Sequence, residues 1–383
     1  MPANFESAIA HIKSLYPDEE FIPLHEPKFI GREKEYVADA IESTFVSSVG
    51  AYVNKFEGMM ADLTGAKFAV ATVNGTAALH MALLVAGVKQ GEEIISQALT
   101  FVATANAISY IGAIPVFVDV DMDTLGMSAE KLQDFLSSHC ELRNGFTYNK
   151  VSGRRVAACV PMHSFGFPCK IDEIAAICAE WNIALVEDAA ESLGSYYKGK
   201  HTGVFGQLGT FSFNGNKTIT CGGGGAIVTD DEDLAKLARH LTTQAKVPHA
   251  WEFNHDMIGY NYRMPNLNAA MACAQLEQLP RFVENKRELA GLYRDFFSSV
   301  GIAFQTETAD AQANYWLNVL LMQDRGERDA FLEVTNKSGV MTRPAWTLMH
   351  KLPMFRDAQH DGLQNSLWIE DRLVNIPSSV RIA

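Results

Sequence analysis

Residues 67–87 read KFAVATVNGTAALHMALLVAG: an apolar strand-like run, a polar turn at Asn74-Gly75-Thr76, and an apolar helix-like run. The same order returns along the chain, in EEIISQALT followed by TFVATANAISYIGA, and in RVAACVPMH followed by IDEIAAICAEWN and IALVED. Short apolar strands that alternate with helices predict a mostly parallel sheet covered by helices on both faces. The sequence therefore predicts an α/β fold.

The character of the sequence changes near residue 266. A long helical stretch, charged on one side, begins there, and the shorter apolar runs and proline-bearing tail that follow suit a small α+β domain. We predict an N-terminal segment over 1–30, a large domain over 31–260 and a small C-terminal domain over 261–383.

Composition excludes several functional classes. The formal net charge of −13 argues against a broad nucleic-acid-binding surface. No apolar run reaches about 18 residues, so we expect no membrane span, and the first residues lack the apolar region of a secretory signal. Six scattered cysteines form no CxxC pair, which argues against a zinc site. We expect a cytoplasmic protein with no nucleic-acid, membrane or metal partner.

Three polar residues fall where predicted strands end: Asn74, His163 and Asp188. In open α/β sheets, ligands bind outside the carboxyl ends of the strands. These residues therefore mark the expected edge of a ligand site.

A single lysine, Lys217, lies in the stretch TFSFNGNKTITCGGGGAIVT, residues 210–229. It could bind a nucleotide phosphate or form a Schiff base with a carbonyl compound. The phosphate loop of nucleotide hydrolases requires a glycine directly before the lysine and a helix after it. Here Asn216 precedes the lysine and a glycine-rich, strand-like run follows. The stretch therefore argues against a nucleotide phosphate loop.

A Schiff-base lysine that works with pyridoxal 5′-phosphate needs companions. A carboxylate must hold the pyridine nitrogen protonated, and Asp188 is the candidate. A phosphate needs donors, best at a helix N-terminus, and Gly75-Thr76-Ala77 opens a predicted helix, while Ser212 lies five residues before the lysine. Phe101 offers an aromatic face to the ring. Each feature alone is common, and the combination favours this cofactor.

The chain resembles the DegT/DnrJ/EryC1/StrS family of nucleotide-sugar aminotransferases, which use pyridoxal 5′-phosphate and have the fold-type-I aminotransferase architecture. The resemblance runs from about residue 21 to residue 377. Within the family, residues 23–57 most resemble enzymes that act on UDP-2-acetamido-2,6-dideoxy-4-hexulose, including those of legionaminic-acid and related bacterial surface-glycan pathways. The family resemblance is carried by VNGTAALHMAL, EDAAESLGS, TFSFNGNKTITCGGGGAIVT and GYNYRMPNLNAAM.

The resemblance implies roles for these positions. Lys217 would form the Schiff base and Asp188 would pair with the pyridine nitrogen. Asn261 would reach the phosphate of the neighbouring subunit, which implies a homodimer with shared active sites. The other cofactor contacts that it implies are Thr76, Ala77 and Ser212 at the phosphate, with Gly75 beside them, and Phe101 on the ring.

Further positions carry weaker implications. Glu191 stands where the family often has Gln or His near the cofactor O3′, so its contact stays open. His163 would touch the cofactor or sugar, or would pack under a loop. Arg263 would bind an anionic group of a substrate, or form a surface salt bridge. The residues that the resemblance places at the sugar pocket are Ser47, Ser48 and Gly50.

The implied reaction is transamination. L-glutamate would give its amino group to the cofactor, leaving pyridoxamine 5′-phosphate, and this amine would pass to C4 of a UDP-linked 4-keto-6-deoxy-N-acetylhexosamine. A related sugar dehydratase is disfavoured, because those enzymes carry His where this chain has Lys217. Two alternatives stay open: a 3-aminotransferase that acts on a nucleotide-linked 3-keto sugar, and a catalytically silent regulatory protein of the same fold.

Overall fold

The alternation seen in the sequence folds into helices that surround a central sheet in the computed structural model, which describes residues 3–381. The helices are α1 Ala3–Leu15, α2 Glu33–Glu42, α3 Ala51–Thr64, α4 Gly75–Val85, α5 Val102–Tyr110, α6 Ala129–His139, α7 Ile171–Glu180, α8 Glu232–Thr242, α9 Asn266–Ser299, α10 Arg325–Lys337 and α11 Gln364–Glu370. The strands are β1 Phe68–Thr72, β2 Glu93–Gln97, β3 Ile114–Val118, β4 Cys140–Arg143, β5 Phe146–Asn149, β6 Val156–Val160, β7 Ala184–Asp188, β8 Tyr196–Tyr197, β9 Lys200–His201, β10 Leu208–Ser212, β11 Gly225–Thr229, β12 Ala303–Phe304, β13 Ala311–Gln312, β14 Asn318–Leu321, β15 Arg343–Pro344 and β16 Leu373–Ile376.

The large sheet has the strand order β1-β11-β10-β7-β6-β2-β3. Strands β10, β7, β6, β2 and β3 pair in parallel, whereas β11 runs antiparallel to both β1 and β10. Because β11 alone reverses, every other strand of this sheet ends at the same edge. The predicted α/β class with a mostly parallel sheet is confirmed.

Local signals explain several helix starts. The Asn74 side chain accepts the N–H of Ala77 at 2.8 Å and caps α4, and Ser128 caps α6 in the same way through Lys131. Side-chain acceptors at such positions satisfy amides that have no partner within the helix.

A second sheet, in the order β12-β14-β16-β15, lies in the C-terminal part of the chain. Helix α1 packs on this side, since Phe5 and Ile12 share a buried apolar cluster with Phe331 and Val374. Residues 3–15 thus belong to the packing of the small C-terminal sheet. The predicted domain limits themselves stay a prediction.

Helix α9 connects the two regions. Its first half places Ala269 and Cys273 in the cluster that contains Phe56 of α3, and its second half places Tyr293 and Phe297 in the cluster of the small sheet. No helix within residues 3–381 is both long and apolar enough to cross a bilayer.

Candidate active site

A cavity of about 370 Å³ lies at the edge where the parallel strands end. It collects residues from β7, β10, the starts of α4 and α5, and two loops of the C-terminal region. Its lining comprises Asn74, Gly75, Thr76, Leu79, Phe101, Ala103, Met162, Asp188, Ala190, Glu191, Ser212, Asn214, Asn216, Lys217, Trp316 and Trp346.

The start of α4 forms one wall of the cavity. A Cβ on Gly75 would lie 2.7 Å from the Cβ of Ser212, so only a glycine lets this helix end approach Ser212 so closely. Ser212, Gly75 and Thr76 therefore converge where the first amides of a helix present hydrogen-bond donors and a partial positive charge. The predicted phosphate contact of Ala77 is corrected, because its N–H is bonded to the Asn74 side chain and the residue does not line the cavity.

Asp188 ends β7 and is buried at the floor of the cavity. One carboxylate oxygen accepts the hydroxyl of Thr104 at 2.7 Å, and the other accepts the N–H of Ala190 at 3.2 Å. Burial raises the pKa of Asp188, whereas these two hydrogen bonds and the nearby Lys217 oppose the rise. Thr104 was not predicted from the sequence, although a polar residue on the buried face of an apolar helix is a usable signal.

Lys217 lies on the loop between β10 and β11, and its side chain reaches back into the cavity. Its Nζ is 4.2 Å from the ring centroid of Trp316, a cation–π distance. The indole N–H of Trp316 donates to the carbonyl of Asn216 at 2.7 Å and so holds the loop beside the lysine. Trp316 was not predicted, because it lies about one hundred residues away in the chain.

Glu191 supplies the partner of the lysine. One of its carboxylate oxygens lies 3.4 Å from Lys217 Nζ, and the other accepts the N–H of Phe165 at 2.7 Å. Burial raises the pKa of Glu191 to about 7, although the Lys217 ammonium acts against the rise. The contact that the sequence left open is therefore, in this structure, one with Lys217.

Aromatic side chains close the opposite wall. Phe101 precedes α5, and its ring packs edge-to-face against Trp346 with centroids 6.2 Å apart. Trp346 in turn stacks on the buried Phe165, with centroids 4.7 Å apart. Phe101, which was predicted from the sequence, and Trp346, which was not, thus form this wall.

His163 is fully buried beneath the cavity rather than in its lining. Its Nε2 lies 3.0 Å from a carboxylate oxygen of Glu187, and its Nδ1 accepts the N–H of Cys169 at 3.0 Å. Because both ring nitrogens are bonded within the chain, His163 has none left for a cofactor or sugar. The expected ligand contact is corrected accordingly, and the neighbouring Met162 faces the cavity instead.

Arg263 does not line the cavity of its own chain. Its guanidinium forms a buried ion pair with Glu57, whose carboxylate also accepts the N–H of Ala71 at 2.8 Å. Arg239 lies 3.0 Å from the second oxygen of the same carboxylate. Of the two alternatives given for Arg263, the salt bridge is present, although it is buried rather than at the surface, and the role in substrate binding stays a prediction.

The remaining predicted residues lie outside the cavity of their own chain. The carbonyl of Ser47 accepts the N–H of Asn266 at 2.6 Å, and Asn266 also approaches the backbone of Gly50. Ser48 follows in the same exposed segment, while Asn261 bridges to Thr243. The sugar-pocket role of Ser47, Ser48 and Gly50 stays a prediction, as does the contact of Asn261 with the phosphate of a neighbouring subunit.

The cavity thus combines an amine at Lys217, a buried carboxylate at Asp188, phosphate donors at the start of α4, and an aromatic wall. This donor set fits pyridoxal phosphate, which requires one group of each kind. Within residues 3–381, no cluster of three or more His, Cys, Asp or Glu side chains could hold a metal ion.

A family model described as the DegT/DnrJ/EryC1/StrS aminotransferase family matches residues 27–383. The chain is 37% identical to a GDP-perosamine synthase of Escherichia coli O157:H7 over 94% of this chain and 93% of that protein. It is 33% identical to a GDP-perosamine synthase of Vibrio cholerae, over 93% and 94% respectively. Among solved structures, DesI in the presence of its TDP-sugar product aligns with a TM-score of 0.84 and 27% identity, over 97% of this chain and 92% of that one.

Proposed function

Because the chain belongs to the DegT/DnrJ/EryC1/StrS family and is a pyridoxal phosphate-dependent sugar aminotransferase, we propose that it aminates C4 of a nucleotide-linked 4-keto-6-deoxy sugar with L-glutamate as donor. The observation that carries this proposal is the convergence of Lys217, Asp188 and the start of α4 on one cavity. A silent regulatory protein would have no need to keep all three together.

Lys217 has two tasks in this reaction. When bound, pyridoxal phosphate supplies an electrophilic carbon and a ring that accepts an electron pair. The amine of Lys217 would hold the cofactor in the resting enzyme and, once free, would remove the proton from the donor Cα. In the second half of the reaction the same amine returns a proton to C4 of the sugar.

Asp188 would hold a proton on the ring nitrogen of the cofactor. The hydroxyl of Thr104 and the N–H of Ala190 both donate to its carboxylate, and hydrogen bonds of this kind favour the charged form against the cost of burial. Thr104 thus acts as a positioning residue that keeps the carboxylate oriented and anionic.

The phosphate would be bound at the start of α4. The amides of Gly75 and Thr76 and the hydroxyls of Thr76 and Ser212 are the donors at hand, and the helix N-terminus favours an anion there. Ala77 contributes nothing directly, because its amide serves the Asn74 cap.

Two sugar nucleotides are candidates for the acceptor. The resemblance of residues 23–57 favours the UDP-linked 2-acetamido sugar of a surface-glycan pathway such as that of legionaminic acid, and we take this as the first candidate. The similarity to GDP-perosamine synthases favours a GDP-linked sugar as the second. Purified enzyme with L-glutamate should be offered each 4-keto-6-deoxy nucleotide sugar in turn, and each amino sugar product quantified by mass spectrometry. A kcat/KM ratio that favours GDP would reject the first candidate. A product that carries the amine at C3 would reject the regiochemistry.

We also propose that the enzyme acts as a homodimer. Large apolar side chains are exposed on two segments, with Trp251 78% and Ile258 84% exposed on one, and Phe45 58% and Val49 69% on the other. Apolar surface of this kind marks interaction sites. One segment ends close to Asn261, which was predicted to reach the phosphate of a neighbouring subunit, and the other contains Ser47, Ser48 and Gly50, which were predicted to line the sugar pocket but lie outside the cavity of their own chain. Sedimentation of the holoenzyme as a monomer at assay concentrations would reject this proposal.

A further inference from the structure

A second cavity, of about 540 Å³, adjoins the active site. We call it the annex. The side chains of Trp316 and Trp346, together with Asn216, line both cavities. Trp316 lies against the amine of Lys217. Its indole is therefore the side chain that separates a molecule bound at that amine from the annex.

The annex contains a histidine without a partner. Both ring nitrogens of His25 are buried and have no hydrogen-bond partner among the described residues. The residue is fixed from both sides, because the carbonyl of Leu24 accepts the N–H of Ser378 at 2.7 Å and the N–H of Glu26 donates to the hydroxyl of Ser379 at 2.8 Å. Buried polar groups are normally hydrogen-bonded, so the fixed ring of His25 has hydrogen-bonding capacity that a ligand can use.

A second acceptor is unpaired in the same place. Asn375 lines the annex, and its carbonyl oxygen is buried with no partner within residues 3–381. On β16 the annex therefore offers an acceptor that a bound N–H or O–H group can use, whereas the imidazole of the N-terminal segment can donate to an anion.

The charged side chains around the annex are basic. Within the described residues its lining includes Arg343 but no Asp or Glu. Lys286 is fully buried nearby, and among the residues that the structure describes its Nζ donates to the carbonyls of Trp316 and Ser378. Burial lowers the pKa of Lys286 to about 7. Burial also lowers the pKa of His25, and Lys286 and Lys217 add to this effect. An anion bound close by would favour the charged form of Lys286 against the cost of its burial.

We propose that the annex binds the distal carboxylate of a dicarboxylic amino donor, and that His25 donates the hydrogen bond that recognises it. The proposal rests on the proposed function, since the donor amine must take the place of Lys217 Nζ beside Trp316. The donor side chain then extends past the indole into the annex, where Leu317 and Met341 offer apolar contact to its methylene groups.

Two other groups are alternative ligands for the annex, and the experiments below distinguish them from a donor carboxylate. A neutral acetamido group of the sugar would satisfy His25 and Asn375, but it would bring no negative charge to favour the ammonium form of Lys286. The diphosphate of the sugar nucleotide would supply charge, but it would place the annex in the second half-reaction. The two half-reactions can be measured separately, so these occupants are distinguishable.

The first experiment is calorimetric titration of the holoenzyme with glutarate, a dicarboxylate that lacks the amine and cannot react. The wild type should bind glutarate, and His25→Ala should weaken the affinity about ten- to a hundredfold, because a hydrogen bond to a charged group is lost. His25→Asn retains a hydrogen-bond donor, so its affinity for glutarate should lie between those of the wild type and His25→Ala. The control is His139→Ala, a histidine that stacks on Phe135 in α6 and lines neither cavity.

The second experiment is single-turnover absorbance of the first half-reaction. His25→Ala should raise the concentration of L-glutamate at half-maximal rate by a similar factor, and it should leave the rate with L-alanine, which has no distal carboxylate, unchanged. Glutarate binding that is absent from the wild type, or equal in the wild type and both His25 variants, would overturn the proposal. Loss confined to the sugar half-reaction would overturn it too. Binding of glutarate that depends on His25, with no amine transferred to any sugar, would instead count against the proposed function alone.

Discussion

The amine of Lys217 lies 3.4 Å from the carboxylate of Glu191, which is itself held by the N–H of Phe165 at 2.7 Å. The family position often holds Gln or His, so this chain places an ionisable acid beside the reacting amine. The carboxyl group of Glu191 can therefore gain or lose a proton near neutral pH while it lies beside Lys217.

The stability of the apoenzyme should depend on Glu191. Its pKa is raised to about 7 in the folded protein, above its usual value of 4.5, so the folded state binds the extra proton between these two pH values. The free energy of unfolding should therefore fall as pH rises from about 4.5 to 7, by roughly 3 kcal/mol from this group. Urea unfolding at pH 5 and pH 8 measures the fall, and Glu191→Gln should lack this part of it. An identical pH profile in the variant would contradict the assignment.

Replacement of Lys217 should abolish the cofactor linkage. Lys217→Ala should lose the absorbance band near 400–430 nm that a Schiff base with pyridoxal phosphate gives, and should lose turnover. Asn216→Ala, which leaves the amine in place, is the matched control and should keep the band. A band retained in Lys217→Ala would show that another amine holds the cofactor.

Asp188→Asn should reduce single-turnover transamination by about a thousandfold, because the charge that holds the ring nitrogen protonated is removed. Thr104→Val removes only one hydrogen bond to that carboxylate and should cost about tenfold. The rates are read from the absorbance change with saturating L-glutamate. Equal losses in the two variants would mean that Thr104 does more than orient Asp188.

Gly75→Ala should weaken cofactor binding. The added Cβ would lie 2.7 Å from the Cβ of Ser212 and would push the start of α4 away from the phosphate donors. Equilibrium dialysis of pyridoxal phosphate measures the effect. Gly58→Ala is the control, since its Cβ meets nothing within 4 Å on α3, and it should instead stabilise that helix by up to about 1 kcal/mol.

Arg263→Ala should affect stability rather than substrate binding. It leaves the buried Glu57 with one fewer cation, and breaking a buried ion pair costs about 3 kcal/mol or more. The midpoint of urea unfolding should fall, while KM for both substrates stays unchanged in the folded fraction. A raised KM with normal stability would restore Arg263 as a substrate-binding candidate.

The sequence could predict the strand-end residues but not all of their surroundings. Gly75, Asp188 and Lys217 were identifiable because strand ends and helix starts leave local patterns. Trp316 and Trp346 come from distant loops, and no local pattern reports that they meet Lys217 and Phe101.

Two corrections have different causes. The bonding of His163 to Glu187 and Cys169 depends on tertiary packing, which no spacing in the sequence reveals. The correction to Ala77 was foreseeable from the sequence. An asparagine at a helix start commonly accepts a hydrogen bond from the amide three residues further on, which here is that of Ala77.

Helix α9 has a consequence for how the protein unfolds. It is 34 residues long, about 50 Å, and it supplies Cys273 to one apolar core and Tyr293 to the other. Neither core can lose its share of this helix without weakening the other. We therefore expect both regions to melt together in one cooperative transition, so that damage far from the cavity lowers the amount of working enzyme as a whole.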